Sequence, residues 1–191
     1  MPLPSAVPFP AAATDAPRRG AILPNVVLYQ ATWFAAVLGA AAQHPAAGVA
    51  AAAGSVLYHL HAARAPRREL ALIGIATLAG VLFESLLLAT GWISMAPATL
   101  IGGVLPPWMV ALWASLATTF NVSLRALRPR TLTCALLALF GAPLAYAAGA
   151  RLGALHWVDA PRGLLLVAVG WAVLLPLLMK AAQRYDGFAA A

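Results

Sequence analysis

The chain has 191 residues, 63% of them hydrophobic and only 9% charged, with a mean hydropathy of +0.87; a water-soluble domain this apolar has no means of covering its surface. The formal charge of +7 falls in short basic clusters between apolar runs, the pattern of membrane orientation signals, and no basic stripe interleaved with aromatics points to a nucleic-acid partner. A single cysteine, Cys134, excludes an intrachain disulfide and any cysteine-based metal cluster.

Residues 1–20, rich in Pro and Ala without a period, read as a disordered cytoplasmic tail. They do not read as a cleavable signal, because Arg18 and Arg19 follow a Pro-rich stretch and the next apolar run is too long for a signal core. Six apolar runs follow, at about 22–42, 45–63, 70–91, 104–124, 132–150 and 163–180, each near the ~20 residues that cross ~30 Å of hydrocarbon. The second is nearly all Ala and Gly until "VLYHLH" and follows the short "QHP" turn, so the first two runs can form a tight hairpin or a re-entrant pair. The fold expected is all-α: a single polytopic domain over 21–184, a bundle of six transmembrane helices, with a short cytoplasmic tail at 185–191.

Charge counting gives the orientation. With six spans, the N-terminal side receives Arg18, Arg19, Arg64, Arg67, Arg68, Arg125, Arg128, Arg130, Lys180 and Arg184, and the opposite side only Arg151 and Arg162. That asymmetry places both termini in the cytoplasm, and Trp92, Trp108 and Trp157 at or near the outer interface.

Polar groups inside apolar runs are the candidate functional residues, since each needs a partner in hydrocarbon. Near the cytoplasmic end, Asn25, Tyr29 and Gln30 on the first helix, Thr118, Asn121 and Arg125 on one face of the fourth, and His59 and His61 can form one polar cluster. Glu84 is the sharpest signal. It lies about 21 Å along its helix by the rise per residue, on a stripe with Thr77, Gly80, Leu88 and Gly91 that is suited to helix packing. Tyr146 reaches the same estimated depth and Arg151 lies higher, so Glu84 is expected either ionised and paired with Arg151 or protonated and hydrogen-bonded to Tyr146. Gly141, Ala145, Gly149 and Gly153 form a small-residue ridge that reads as tight helix packing. Pro143 and Pro176 lie inside helices, where each can bend the axis. No metal-ligand constellation or phosphate-cradling loop appears, no cofactor is implied, and no serine stands in an activating context beside His156 and Asp159.

The strings "NVVLYQATWFAAVLGA" (25–40), "GVLFESLLLATG" (80–91), "LPPWMVALWASLATTFNVSLRAL" (105–127), "GAPLAYAAGARLGA" (141–154) and "VGWAVLLPLL" (169–178) together resemble a bacterial inner-membrane family known as a domain of unknown function. The matching positions are Asn25, Leu28, Gln30 and Trp33; Glu84, Ser85, Leu86 and Leu87; and Thr119, Phe120, Asn121, Ser123 and Leu124. The chain departs from the family pattern in carrying Glu84 where aspartate is usual and Val122 where a polar residue is frequent. The resemblance carries no reaction; it implies an association with gene sets for fatty-acid or phospholipid modification.

The reading favoured by these signals is an inner-membrane protein that binds or presents a lipid or small amphipathic molecule as an accessory to lipid modification. Its candidate site comprises Asn25, Gln30, Trp33, Glu84, Ser85, Thr118, Asn121, Tyr146 and Arg151. The expected partners are membrane lipids, with a membrane-protein partner or a second copy of the chain also open. One alternative is the substrate-binding subunit of a vitamin-type transporter, whose dimensions and Ala-xxx-Ala docking pattern (Ala31, Ala35) this chain resembles. The other is a small intramembrane enzyme using Glu84, which ranks lower because no second catalytic group stands at a secure geometry.

Overall fold

A computed structural model of the chain describes residues 19–96 and 105–189. Six helices follow one another: α1 (Arg19–Ala41), α2 (Ala46–Ala62), α3 (Pro66–Ala89), α4 (Pro107–Phe120), α5 (Thr131–Arg151) and α6 (Ala160–Arg184). Two short strands, β1 (Ile93–Met95) and β2 (Leu155–Trp157), lie in the connections after α3 and α5. Most of the Pro/Ala-rich tail lies outside the described residues, and Arg19, assigned to it from composition, begins α1.

Four helices are long and apolar enough to cross a membrane: α1 from Ala21, α3, α5 and α6. The other two are shorter than the six-span expectation, at 17 residues for α2 and 14 for α4, below the ~20 needed for a crossing. The reason is local in α4. It starts at Pro107, where a missing N–H costs nothing. It stops at Asn121 after Thr118 and Thr119 turn their hydroxyls back onto the carbonyls of Ser115 and Leu116, a bond that competes with helix continuation. Every residue from Ser115 to Phe120 is buried, and α4 packs against α1, α2 and α3. Protein, not solvent, surrounds this helix.

The bundle is inverted relative to a soluble domain. Leu23, Leu57, Leu82, Leu132, Leu144 and Leu165 are all exposed, whereas Asn25, Thr32, Ser55, His59, Glu69, Glu84, Ser115, Thr118 and Asn121 are buried. Such an outer surface suits hydrocarbon, and the polar side chains then find partners inside. Thr32 and Ser55 do so across the α1–α2 hairpin, at 2.7 Å.

The two ends of the bundle differ. At one end, called here the basic end, lie Arg64, Arg67 and Arg68 before and within the start of α3, Arg125, Arg128 and Arg130 between α4 and α5, and Arg184 at the close of α6. The opposite, hairpin end carries the antiparallel β1–β2 pair, with Ile93 opposite Trp157 and Met95 opposite Leu155. Trp108 sits at this end but not in an interfacial belt. It is 1% exposed and donates its indole N–H to Ala96 O at 2.7 Å, locking the start of α4 to the hairpin.

Helix α6 bridges α3 and α5, while α5 packs on α6 and touches the β2 strand. On α3, a Cβ at Gly80 would overlap the Trp113 indole of α4, so glycine is what lets these two helices seat that ring between them. Gly80→Val is therefore expected to destabilise the protein by about 1–3 kcal/mol through overpacking, read as a lowered apparent Tm in detergent. Gly74→Ala, on the same helix with nothing within 4 Å of the added carbon, should leave the Tm unchanged or raise it slightly.

Candidate functional site

Helix α3 carries two fully buried carboxyl groups, Glu69 and Glu84, each 0% exposed. Fifteen residues separate them, which places both within about 60° on one face and about 22 Å apart along the axis. Their surroundings differ in one decisive respect.

Glu69, at the basic end, has partners for both oxygens. His59 Nε2 of α2 lies 2.8 Å from Oε2. Asn121 Nδ2, at the end of α4, donates to Oε1 at 2.6 Å, and the backbone N–H of Gly187, after α6, donates to the same oxygen at 2.6 Å. The carbonyl of Gly187 in turn accepts from Ala65 N at 3.0 Å, and a Cβ on Gly187 would collide with Glu69 and with Ala65 O. Phe188 lies with its ring 5.0 Å from the His59 ring. The chain beyond α6 is thus strapped across the ends of α2, α3 and α4.

Two arginines hold the strap. Arg125 Nη1 and Arg128 Nη1 reach Asp186 Oδ2 at 2.7 and 2.8 Å, and Arg128 Nη2 donates to Asn121 Oδ1 and to Ala182 O. Burial pushes the Asp186 carboxyl up, but the Arg128 hydrogen bond, the Phe188 N–H and the charges of Arg128 and Arg125 outweigh it and hold the pKa below the usual aspartate range.

Glu84, towards the hairpin end, is only half satisfied. Tyr146 of α5 donates its hydroxyl proton to Oε1, and Trp113 Nε1 of α4 donates to the same oxygen at 3.1 Å. Oε2 is buried and has no hydrogen-bond partner among the described residues. No ion pair to Glu84 forms among the described residues, and Arg151 is exposed at the end of α5. Of the two arrangements expected for this acid, the Tyr146 hydrogen bond is the one present. Trp171 of α6 stacks on Trp113 with centroids 4.6 Å apart, and its own N–H is likewise buried without a partner among the described residues.

Glu84 lines a cavity of about 370 Å³. One wall is built from Tyr29, Trp33 and Val37 of α1 and Met109, Leu112 and Leu116 of α4; the other from Leu137, Gly141, Ala145 and Gly149 of α5, with Trp171 and Leu175 of α6. The small-residue ridge of α5 therefore corrects the packing expectation. A Cβ at Gly141 would have nothing within 4 Å, and Gly141, Ala145 and Gly149 form a cavity wall instead of a helix contact, because α5 leans on α6; Gly153, just past α5, does pack, with Ala41 of α1 3.5 Å from a Cβ built there.

The remaining expected site residues fall in several places. Trp33 is half-buried and lines the cavity with Tyr29. Asn25 and Thr118 meet near the basic end, Asn25 Nδ2 donating to Thr118 O at 3.1 Å, beside a void of about 30 Å³ with room for about one water. Asn121 belongs to the Glu69 strap. Gln30 is exposed on the outer face of α1, and Ser85 is half-buried with no hydrogen bond among the described residues. The single cytoplasmic-end cluster expected from sequence is thus divided, with Tyr29 turned to the cavity and Gln30 turned away from it.

Sequence reasoning missed Glu69, Trp113, Trp171, Arg128, Asp186 and Gly187. A signal existed for Glu69: the Glu84, Gly80, Thr77 stripe extends back through Ile73 to residue 69 at helical spacing. Beside Arg67 and Arg68, however, it reads as a headgroup-level charge. His156 and Asp159 do not combine; Asp159 caps α6 by accepting from Arg162 N at 3.2 Å, while His156 is exposed. Among the described residues no group of three metal-ligating side chains occurs.

The chain belongs to the family described as "Protein of unknown function (DUF2878)", whose profile matches residues 22–177. No curated protein and no solved structure matches it.

The strap should be lost with acid. Because the Asp186 pKa is depressed in the folded chain, its contribution is present above the unfolded aspartate value of about 3.9 and disappears as pH falls through the lower folded value. Asp186→Asn should open the strap at neutral pH, speeding hydrogen exchange at the Gly187 and Phe188 amides about tenfold or more, the scale of one charged hydrogen bond.

Proposed function

We propose that this member of a family without an assigned reaction holds a lipid or other amphiphile in the cavity between α5 and the α1–α4 wall, with the polar end of that molecule at Glu84. The observation that carries the reading is the pairing of an apolar, partly open cavity with one buried carboxyl oxygen that no described residue satisfies. Buried polar atoms are ordinarily partnered, and a single polar point at the head of a hydrophobic chamber is how amphiphiles are oriented. In the proposed arrangement the bundle lies in the bacterial inner membrane, its basic end in the cytoplasm by the charge asymmetry, with all six helices embedded and α4 shielded by its neighbours. A molecule then enters sideways from the bilayer, past the small residues of α5, and the protein presents it to lipid-modifying partners.

The alternatives gain less support. A water-soluble vitamin needs polar partners along its length, whereas here Glu84 is the one carboxyl group among the described lining residues and the wall is otherwise aliphatic and aromatic, with Tyr29, Trp33, Met109 and Trp171 among Leu, Val, Ala and Gly. For an enzyme, Tyr146 and Trp113 are both engaged on Oε1, and among the described residues no acid–base group is hydrogen-bonded to Oε2.

Native mass spectrometry of protein released from nanodiscs should show a bound lipid or amphiphile. Gly141→Phe, which adds a ring where the structure has open space, should remove most of that adduct while leaving the fold intact. Wild-type protein without an adduct, or an unchanged adduct in Gly141→Phe, would contradict the proposal. A tightly bound water-soluble vitamin would favour the transporter reading.

A further inference from the structure

At the head of the cavity two polar atoms lack partners among the described residues: Glu84 Oε2 and Trp171 Nε1. Both residues line that cavity, and they are linked through one ring, since Trp171 stacks on Trp113 and Trp113 donates to Glu84 Oε1. An indole N–H only donates, whereas a carboxyl oxygen accepts when ionised and donates when protonated. A polar group that completes this site must therefore accept from Trp171 and also serve Oε2.

Four simple headgroups can be compared on those terms. An ammonium pairs with an ionised Glu84 but gives the indole N–H nothing to donate to. A carboxylate accepts from the indole but sets a second acid against Glu84, and like charges at one site oppose each other. An ether accepts from the indole yet cannot donate to an ionised Oε2. A hydroxyl accepts from Trp171 and either donates to Oε2 or accepts from its proton, so it satisfies both atoms in either state of Glu84. Being uncharged, it also avoids carrying a charge into a wall of Val37, Leu112, Leu116, Leu137 and Leu175.

We infer that the ligand is a long-chain alcohol, its hydroxyl set between Glu84 Oε2 and Trp171 Nε1 and its chain laid along the Gly141, Ala145, Gly149 groove of α5. This rests on the amphiphile reading above and adds the chemistry of the headgroup. Glu84 and Trp171 are then the residues that determine specificity, while the apolar wall supplies chain affinity common to any headgroup.

The test uses the full chain in nanodiscs, with empty nanodiscs as background, and four probes of one chain length: dodecanol, dodecylamine, dodecanoate and 1-methoxydodecane. Labelled dodecanol should bind saturably, and unlabelled dodecanol should displace it about five- to tenfold better than each of the other three, the scale of one or two hydrogen bonds. Glu84→Gln, whose amide still donates and accepts, should keep dodecanol affinity within a few-fold. Glu84→Leu and Trp171→Phe should each lower it about five- to tenfold; Trp171→Phe keeps an aromatic ring on Trp113, so its result stands even if Glu84→Leu does not fold. Preferential binding of dodecylamine that Glu84→Gln abolishes would overturn the headgroup assignment and leave the amphiphile reading in place. Equal binding of all four probes would overturn the assignment in the same way. Saturable binding by none of them would overturn the amphiphile reading itself.

Discussion

A carboxyl group inside an apolar bundle must be satisfied by the bundle, and α3 carries two of them on one face. Hydrocarbon offers no hydrogen bonds, so the side chains around Glu69 and Glu84 come from elements far apart in the chain: α2, α4 and the segment after α6 for the first, and α4 and α5 for the second. The short, buried α4 makes this possible. Its middle supplies Trp113 to one acid and its C-terminal cap, Asn121, binds the other, while α1, α2 and α3 pack around it.

The difference between the acids separates structure from candidate function. Glu69 has a partner on each oxygen and is covered by the Gly187 backbone, a closed arrangement in which loss of His59 would leave Oε2 buried and unpaired. Glu84 receives two donors on one oxygen and, among the described residues, none on the other, at the wall of a cavity. Two acids on one helix thus differ in kind: one fastens three helices and the C-terminal strap, and the other has one oxygen without a partner among the described residues, at the wall of a cavity.

Much of this was legible in the sequence, for reasons that can be stated. Helix locations followed from apolar runs bounded by Pro and basic clusters, and the equal depth of Glu84 and Tyr146 followed from the constant rise of a helix, which turns residue counts into depths but left Arg151 open as the other partner. What stayed hidden depends on which faces meet. The Gly141, Ala145, Gly149 ridge has the spacing of a packing surface, and only the lean of α5 towards α6 turns it into a cavity wall. Gln30 and Tyr29 are adjacent, so a depth estimate groups them, yet their directions differ by about 100° and only Tyr29 reaches the cavity. Asp186 and Gly187 lie beyond the last apolar run, where nothing local marks Gly187 as the partner of a carboxyl group more than a hundred residues earlier or Asp186 as the partner of Arg125 and Arg128. The β1–β2 pair, three residues per strand, is too short for periodicity to reveal, and Trp108 reads as an interfacial ring until its bond to Ala96 O is seen.

The central claim is that Glu84 Oε2 is reserved for the polar end of a molecule lodged between α5 and the α1–α4 wall. Its most direct test is an experimental structure of the protein in lipid nanodiscs. The account predicts elongated non-protein density along the Gly141 to Gly149 face of α5, its polar end within about 2.6–3.2 Å of Glu84 Oε2. A structure in which α5 closes onto α1 and α4, with Oε2 hydrogen-bonded to a side chain or backbone group of the protein, would contradict it.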